Sequence, residues 1–400
     1  MILRLLAIIG LGLLLSACVS QSIKSTSIPA IDHPSSTVDE ALLLDVGIAV
    51  FDPGLDDYEE QQQVYPEVRK AEARYMPRLL AGALQDSGAW GAVRLVPDAG
   101  RITDLMVQGK ILHSDGEELR LHITARDSRG YVWLDRDYTG NASRYAYQMT
   151  TRRSQDAFQA VYNTIANDLL QHLEQLRPAE RREVRLVSEL LFARSFSPDA
   201  FDGYLDQDRK GRYRVQRLPA ANDPMLQRVQ TIRERDQMFV DTLQEYYAGF
   251  SGEMTPPYQE WRKMSYEEVV ALRELKAQST RRLIAGGVAI LAGIAGAGSN
   301  DRSARTAGSV AILGGGYLLK SGLEKRNEAQ IHVQALEELG MSLEAEITPQ
   351  VIELQDRTVL LTGNAEDQYA QWREILADIY RAEIGALELP EDSAAATDTL

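Results

Sequence analysis

LMVQGKILHSDGEELRLHITARDSRGYVWLDRDY, residues 105–138, decides the fold class. It divides into three runs, Leu105 to His113, Glu118 to Arg126 and Tyr131 to Tyr138, separated by Asp115-Gly116 and by Ser128-Arg129-Gly130. In the middle run Leu119, Leu121, Ile123 and Ala125 fall on one side of an extended chain, and Arg120, His122, Thr124 and Arg126 on the other. A period of two with one apolar side is the pattern of a half-buried antiparallel sheet. Asp-Gly between two such runs predicts a type I′ hairpin, in which both central residues take positive φ.

The flanking sequence supplies what an apolar sheet face needs. Upstream, Val46, Ile48 and Val50 alternate with Asp45, Gly47 and Ala49 before the Asp52-Pro53-Gly54 turn. A helix is expected over Pro66 to Asp86, with Pro77 kinking or dividing it, and Trp90 to Val96 reads as a further strand. Downstream, Phe158, Val161, Ile165 and Leu169 recur at three- and four-residue steps in a helix expected from Ser154 to Leu176. Residues 42–176 therefore read β-α-β-β-β-β-α, an α/β domain with a mainly antiparallel sheet.

Residues 177–282 form a charged, mostly helical region. Ser197-Pro198 and Asp223-Pro224 are both N-cap and first-turn proline signals. After the second, Met225, Val229, Ile232, Phe239, Leu243 and Tyr246 make an apolar stripe that stops near Gly249 and Gly252. Ser265 and Glu268 then have the spacing of a capping box opening a new helix. Residues 323–386 read as a helix to Leu339, a small β-hairpin about Gln355-Asp356, and a helix from Glu366 to Ala382; 387–400 reads as a disordered tail. The expected class is α+β.

The strand Ile48 to Gly54, the helix end Leu84-Gln85-Asp86-Ser87-Gly88, the strand Trp90 to Val96 and the run from Asp104 to Gly140 together resemble the periplasmic domains of CsgG-like and LpoB-like lipoproteins and of transporter-auxiliary lipoproteins. The resemblance covers residues 42–140 and rests on packing and turn residues. It implies a domain that binds other proteins or assembles as an envelope part.

The N-terminus reads as a targeting signal: Arg4, then an apolar run from Leu5 to Leu15, then Leu15-Ser16-Ala17-Cys18. Leu-Ser-Ala-Cys resembles the lipobox of bacterial lipoproteins. It implies a signal peptide over 1–17, acylation of Cys18 and, with Val19 and Ser20 following, anchorage in the outer membrane with the domains in the periplasm. Cys18 is the sole cysteine, so no disulfide framework is available. Residues 18–41, rich in Ser and Thr, read as the lipidated Cys and a flexible tether. The net charge of −15 argues against nucleic acid as a partner.

The stretch 283–322 is unlike the rest. Ala285, Ala289, Gly293 and Ala297 recur every four residues, as do Ala307, Ala311 and Gly315 in a second run. Small residues at that spacing let helix backbones approach closely, and the pattern resembles a glycine-zipper hairpin. As helices the two runs span about 24 and 20 Å, short of the roughly 30 Å hydrocarbon layer. Three arrangements fit: a hairpin entering the membrane, a packed element between subunits or domains, and an Ala/Gly-rich core hairpin.

Chemistry-bearing motifs are not found. No two of the 5 histidines have metal-pair or zincin spacing. Asp206 to Gly211 begins like a calcium loop but puts Lys210 in a ligand position and Arg217 where a bidentate Glu is required. Gly314 to Ser321 lacks the glycine a Walker loop has before its lysine. No catalytic residue, metal site or cofactor is assigned. The expectation is a non-enzymatic outer-membrane lipoprotein, a structural or accessory part of an envelope, secretion or transport assembly that binds protein partners and forms homo-oligomers; the alternative is a periplasmic regulator of a cell-wall enzyme.

Overall fold

The computed structural model describes residues 21–24, 28–36, 38–56, 65–97, 99–148, 155–220, 222–295, 333–334, 338, 350–353 and 358–385. In chain order these form β1 (Gln21–Lys24), β2 (Val46–Ala49), α1 (Pro66–Ser87), β3 (Val93–Val96), β4 (Leu105–Ser114), β5 (Glu118–Asp127) and β6 (Val132–Asn141). There follow α2 (Gln159–Gln175), α3 (Pro178–Phe196), β7 (Leu205–Gln207), β8 (Tyr213–Val215), α4 (Pro224–Ala295), β9 (Gln350–Glu353), β10 (Thr358–Leu361) and α5 (Ala365–Gly385). The fold is α+β.

A six-stranded mixed sheet has the order β1-β6-β5-β4-β2-β3. β4, β5 and β6 are the antiparallel meander read from residues 105–138. β2 lies parallel to both β3 and β4, with α1 as the crossover that a parallel pair requires. Leu119, Leu121, Ile123 and Ala125 are fully buried. Arg120, His122, Thr124 and Arg126, on the opposite side of β5, are half-buried or exposed. α1 and α2 cover the apolar face, and the expected stripe of Phe158, Val161, Ile165 and Leu169 is buried there. Gly140 of β6 permits the close seat of α2, since a Cβ there would stand 2.4 Å from Val161 Cγ2.

Pro77 does not divide α1, which runs unbroken from Pro66 to Ser87. A proline leaves the carbonyl four residues back without its helical donor. That carbonyl belongs to Ala73, and it accepts the N–H of Phe51 at 2.9 Å. The missing helical bond thus becomes a tie between α1 and the chain leaving β2.

A larger difference concerns the helical region. No break occurs near Gly249 or Gly252 and no new helix opens at Ser265, for α4 is a single helix of 72 residues that contains Pro256 and Pro257. Its start is as expected, Asp223 Oδ1 accepting the N–H groups of Met225 and Leu226 at 2.9 and 3.3 Å. Packing carries it past the prolines: Met254, Tyr258 and Trp261 are buried against Val68, Ala71 and Tyr75 of α1. Tertiary burial of a helix face outweighs local propensity. At Ser197, in contrast, no side-chain cap forms.

One hydrophobic cluster runs from Leu44 of the sheet body through Val184 and Val240 to Tyr380 of α5. Residues of the sheet body and of the helical region therefore share a core. α4 also covers the open edge of β3. Gln244 accepts the N–H of Leu95 at 2.8 Å and donates to its carbonyl at 2.9 Å, as a neighbouring strand would. An edge strand so satisfied has no free backbone groups at that residue for intermolecular pairing.

The described part of the expected tether is held in place. β1 pairs in parallel with β6, and residues 28–36 run along α2. Asn163 and Asn167 donate to the carbonyls of Pro29 and Ala30, both at 2.8 Å. Asn167 Oδ1 accepts from Asp32 N, and Glu174 Oε1 from Ser35 N. These amide and carboxylate side chains, far off in sequence, replace the backbone partners that the segment's own residues lack.

The expected C-terminal hairpin is present as antiparallel β9 and β10, followed by α5. Trp372 and Tyr369 of α5 stack on Phe239 of α4, with ring centroids 5.3 and 6.4 Å apart.

Candidate functional site

The tip of the β4-β5 hairpin sits against α4, and its local chemistry explains how. Asp115 Oδ1 accepts the N–H groups of Glu117 and Glu118 at 2.6 and 2.7 Å, an Asx turn that closes the loop. Gly116 is not among the residues of positive φ, so the type I′ expectation does not hold. Its glycine serves close approach instead: a Cβ would lie 2.1 Å from Tyr266 N and 2.2 Å from Arg262 O, both backbone atoms of α4. Ser265, expected as a helix cap, accepts the Gly116 N–H at 3.1 Å. Tyr147 donates to the Gly116 carbonyl, and Arg273 pairs with Glu117. Burial would raise the Asp115 carboxyl, but the hydrogen bonds from His113, Glu118 and Glu117 hold it below the usual range.

Beneath the tip lie two buried charge clusters. Glu72 of α1, fully buried, accepts from Ser114 Oγ at 2.5 Å and from Tyr258 OH of α4, and faces Arg69 at 3.5 Å. Arg262 of α4, 1% exposed, donates through Nη1 to both oxygens of Asp156 at 3.0 and 3.2 Å. Its guanidinium stands over the rings of Phe158 and Tyr258 at 4.5 and 4.3 Å. Asp156 Oδ1 also accepts the Phe158 N–H at the entry to α2. Burial and the nearby Asp156 charge push the Tyr75 phenol up to about 12, against its hydrogen bond with Thr255. Charged groups are rarely buried unless paired, and here the pairs join α1, β4 and the start of α2 to α4.

These residues carried one sequence signal. Tyr258, Trp261 and Arg262 share a helix face, so a charge stands in an apolar stripe. Glu72 carried none.

Two of the clefts among the described residues contain charged side chains that already have partners. A cavity of about 240 Å³ is lined by Arg101, Phe192, Asp236, Tyr369 and Arg373, and Arg101 is paired with Asp236 at 3.0 Å. A cleft of about 430 Å³ contains Arg185, Arg233 and Asp104. In it Arg185 donates to the carbonyls of Glu40 and Leu43, and Asp104 accepts from Ser188. Burial raises the Asp104 carboxyl, with Arg233, Ser188 and the Asp45 N–H acting against it.

The described histidines are placed apart. His33 contacts the Ser87 carbonyl at 3.0 Å and His113 contacts Asp115 at 2.9 Å. On the polar sheet face His122 lies between Asp137 and Asp135 at 2.7 and 3.1 Å. His172 stacks on Trp133 with centroids 4.6 Å apart, and His332 lies outside the described residues. Among the described residues no group of three or more His, Cys, Asp or Glu is arranged to hold a metal ion.

No known protein family, curated protein or solved structure matches this chain.

Of the residues singled out in the sequence, Ala285, Ala289 and Gly293 fall in the last turns of α4. Cys18, Ala297, Ala307, Ala311 and Gly315 lie outside the described residues. Among the described residues no helix is long and apolar enough to cross a membrane.

His172 makes the stability of this body depend on pH. Burial and, less strongly, Arg129 hold its pKa below the ordinary imidazole value, with Asp127 opposing. Around that value the unfolded chain binds more protons than the folded one. Stability is therefore complete at higher pH and declines as pH falls through about 6.5. His172→Phe keeps a ring on Trp133 and removes the titration. Its Tm is expected to fall less than the parent's between about pH 7 and pH 5; parallel curves would remove His172 from this role.

Proposed function

We propose that the chain is a non-enzymatic, lipid-anchored component of an envelope assembly in the outer membrane. Its sheet body binds a protein partner, and its long helix presents the Ala/Gly stretch for association with other copies or with the bilayer. The observation that carries this reading is the mounting of α4. Buried pairs and the hairpin tip hold it from Glu72 and Asp156 to Ser265 and Arg273. From Arg273 the same helix continues to Ala295, about six further turns, and bears Ala285, Ala289 and Gly293. A helix held so firmly at one end delivers the other at a defined position, which suits an assembly element.

Deletion of residues 283–319 tests the proposal. The parent is expected to form oligomers, read by crosslinking in intact cells, and to resist carbonate extraction even with Cys18→Ser; the deletion abolishes both. A deletion variant that assembles and resists extraction as the parent does would sink the association role. A parent that is monomeric and detergent-independent without its lipid would instead favour regulation through the soluble body.

A further inference from the structure

The hairpin formed by β7 and β8 is basic within an acidic chain. From Asp206 to Arg217 it has Arg209, Lys210, Arg212, Arg214 and Arg217 against Asp206 and Asp208, in a protein of net charge −15. Asp208 Oδ1 closes the turn by accepting from the N–H groups of Lys210 and Arg212 at 2.7 and 2.9 Å, and Asp206 stands opposite Arg214 in the strand register. Arg209, Lys210, Arg214 and Arg217 are all exposed. Next to them Leu218 is 68% exposed, the most open large apolar side chain among the described residues.

The hairpin is fixed to the sheet body and keeps one orientation. Tyr213 N–H donates to the Arg129 carbonyl at 2.8 Å. A Cβ on Gly130 would stand 2.7 Å from the Gly211 carbonyl. Arg212 lies over the Tyr131 ring at 4.5 Å. The basic tip therefore lies beside the β5-β6 turn, at the end of the sheet where β6 begins. Tyr131 and Val132, 38% and 41% exposed, are at the same end.

We infer that this hairpin is a docking surface for a bilayer containing anionic phospholipid, its cations meeting phosphates and Leu218 entering the headgroup layer. Clustered Lys and Arg beside an exposed apolar side chain are what such a surface takes up. Strand direction agrees. β1 is parallel to β6 with Gln21 opposite Tyr138, so its N-terminal end points toward the sheet end that holds the hairpin. Only Val19 and Ser20 separate Gln21 from Cys18, a reach of about 10 Å. An acyl anchor on Cys18 would hold that end near the membrane. This part rests on the lipid-anchored reading, which the experiment separates.

The test uses the chain from Val19 onward, which contains every described residue and has no acyl site, alongside the same chain lacking residues 283–319, so that bilayer association through the Ala/Gly stretch is read separately. Cosedimentation is measured with phosphatidylcholine vesicles and with the same vesicles containing phosphatidylglycerol. Tighter binding to the anionic vesicles is expected, lost at high salt. The combined variant Arg209→Gln, Lys210→Gln, Arg214→Gln, Arg217→Gln should weaken it about a thousandfold. A control with Arg144→Gln, just past the other end of β6, and Arg381→Gln, both exposed, should bind as the parent does. Equal binding to neutral and anionic vesicles would overturn the inference. So would an unaffected quadruple variant, or equal binding to polyglutamate, which points to an acidic protein. Acylation of Cys18 is read separately from the mass of the protein isolated from cells, so the two readings fail independently.

Discussion

Arg262→Ala is expected to destabilise the protein by about 3–5 kcal/mol, the cost of leaving a buried partner charge alone. Asp156 has side-chain exposure of 3%, so water cannot replace the lost guanidinium. The variant should unfold at lower urea, read from the fluorescence of Trp261, which stacks on Tyr258 at 5.8 Å. Arg262→Met combined with Asp156→Asn separates charge from packing. Asn keeps an acceptor for the Phe158 N–H, the methionine fills most of the arginine's volume, and neither is charged. That double variant is expected within about 1–2 kcal/mol of the parent. A single variant within about 1 kcal/mol would mean that the pair does not secure α4.

The same bond between helix and sheet is open to attack from the hairpin. Gly116→Val is expected to cost about 3 kcal/mol, the upper part of the overpacking range. The atoms facing the new Cβ are backbone atoms of α4, so the tip must lift and forfeit its bonds with Ser265 and Tyr147. Backbone conformation is not at issue, since Gly116 does not hold positive φ. Gly82 provides the contrast. It lies within α1 with nothing inside 4 Å of an added Cβ, and Gly82→Ala should stabilise by about 0.5–1 kcal/mol. Urea midpoints moving in opposite directions would support the contact; a neutral Gly116→Val would show that the tip is not seated on α4.

What was legible in the sequence was local and periodic. The alternation in residues 105–138 was enough for three antiparallel strands, the Phe158 to Leu169 stripe for the helix that covers them, and Asp223-Pro224 for the start of α4. Each signal lies within one element, because side-chain direction repeats every two residues in a strand and every 3.6 in a helix. Composition was legible in the same way: a single cysteine excludes a disulfide framework within the chain.

Tertiary contact decided the rest. The carbonyl freed by Pro77 was taken by Phe51, so α1 stayed whole, and the prolines of α4 were carried by burial against α1. Gly116 was read as a turn residue and proved to be a contact residue, since the helix it touches lies some 150 positions later and leaves no trace in the hairpin's own pattern. Glu72, Asp156 and Arg262 looked like ordinary charges until the fold placed them together. Periodicity reports which face of an element is apolar; it carries no information about which distant backbone or charge will meet that face. The sequence by itself determined the antiparallel meander, the helix that covers it and the start of α4, and only the assembled structure decided that the long helix is unbroken and bolted to the sheet.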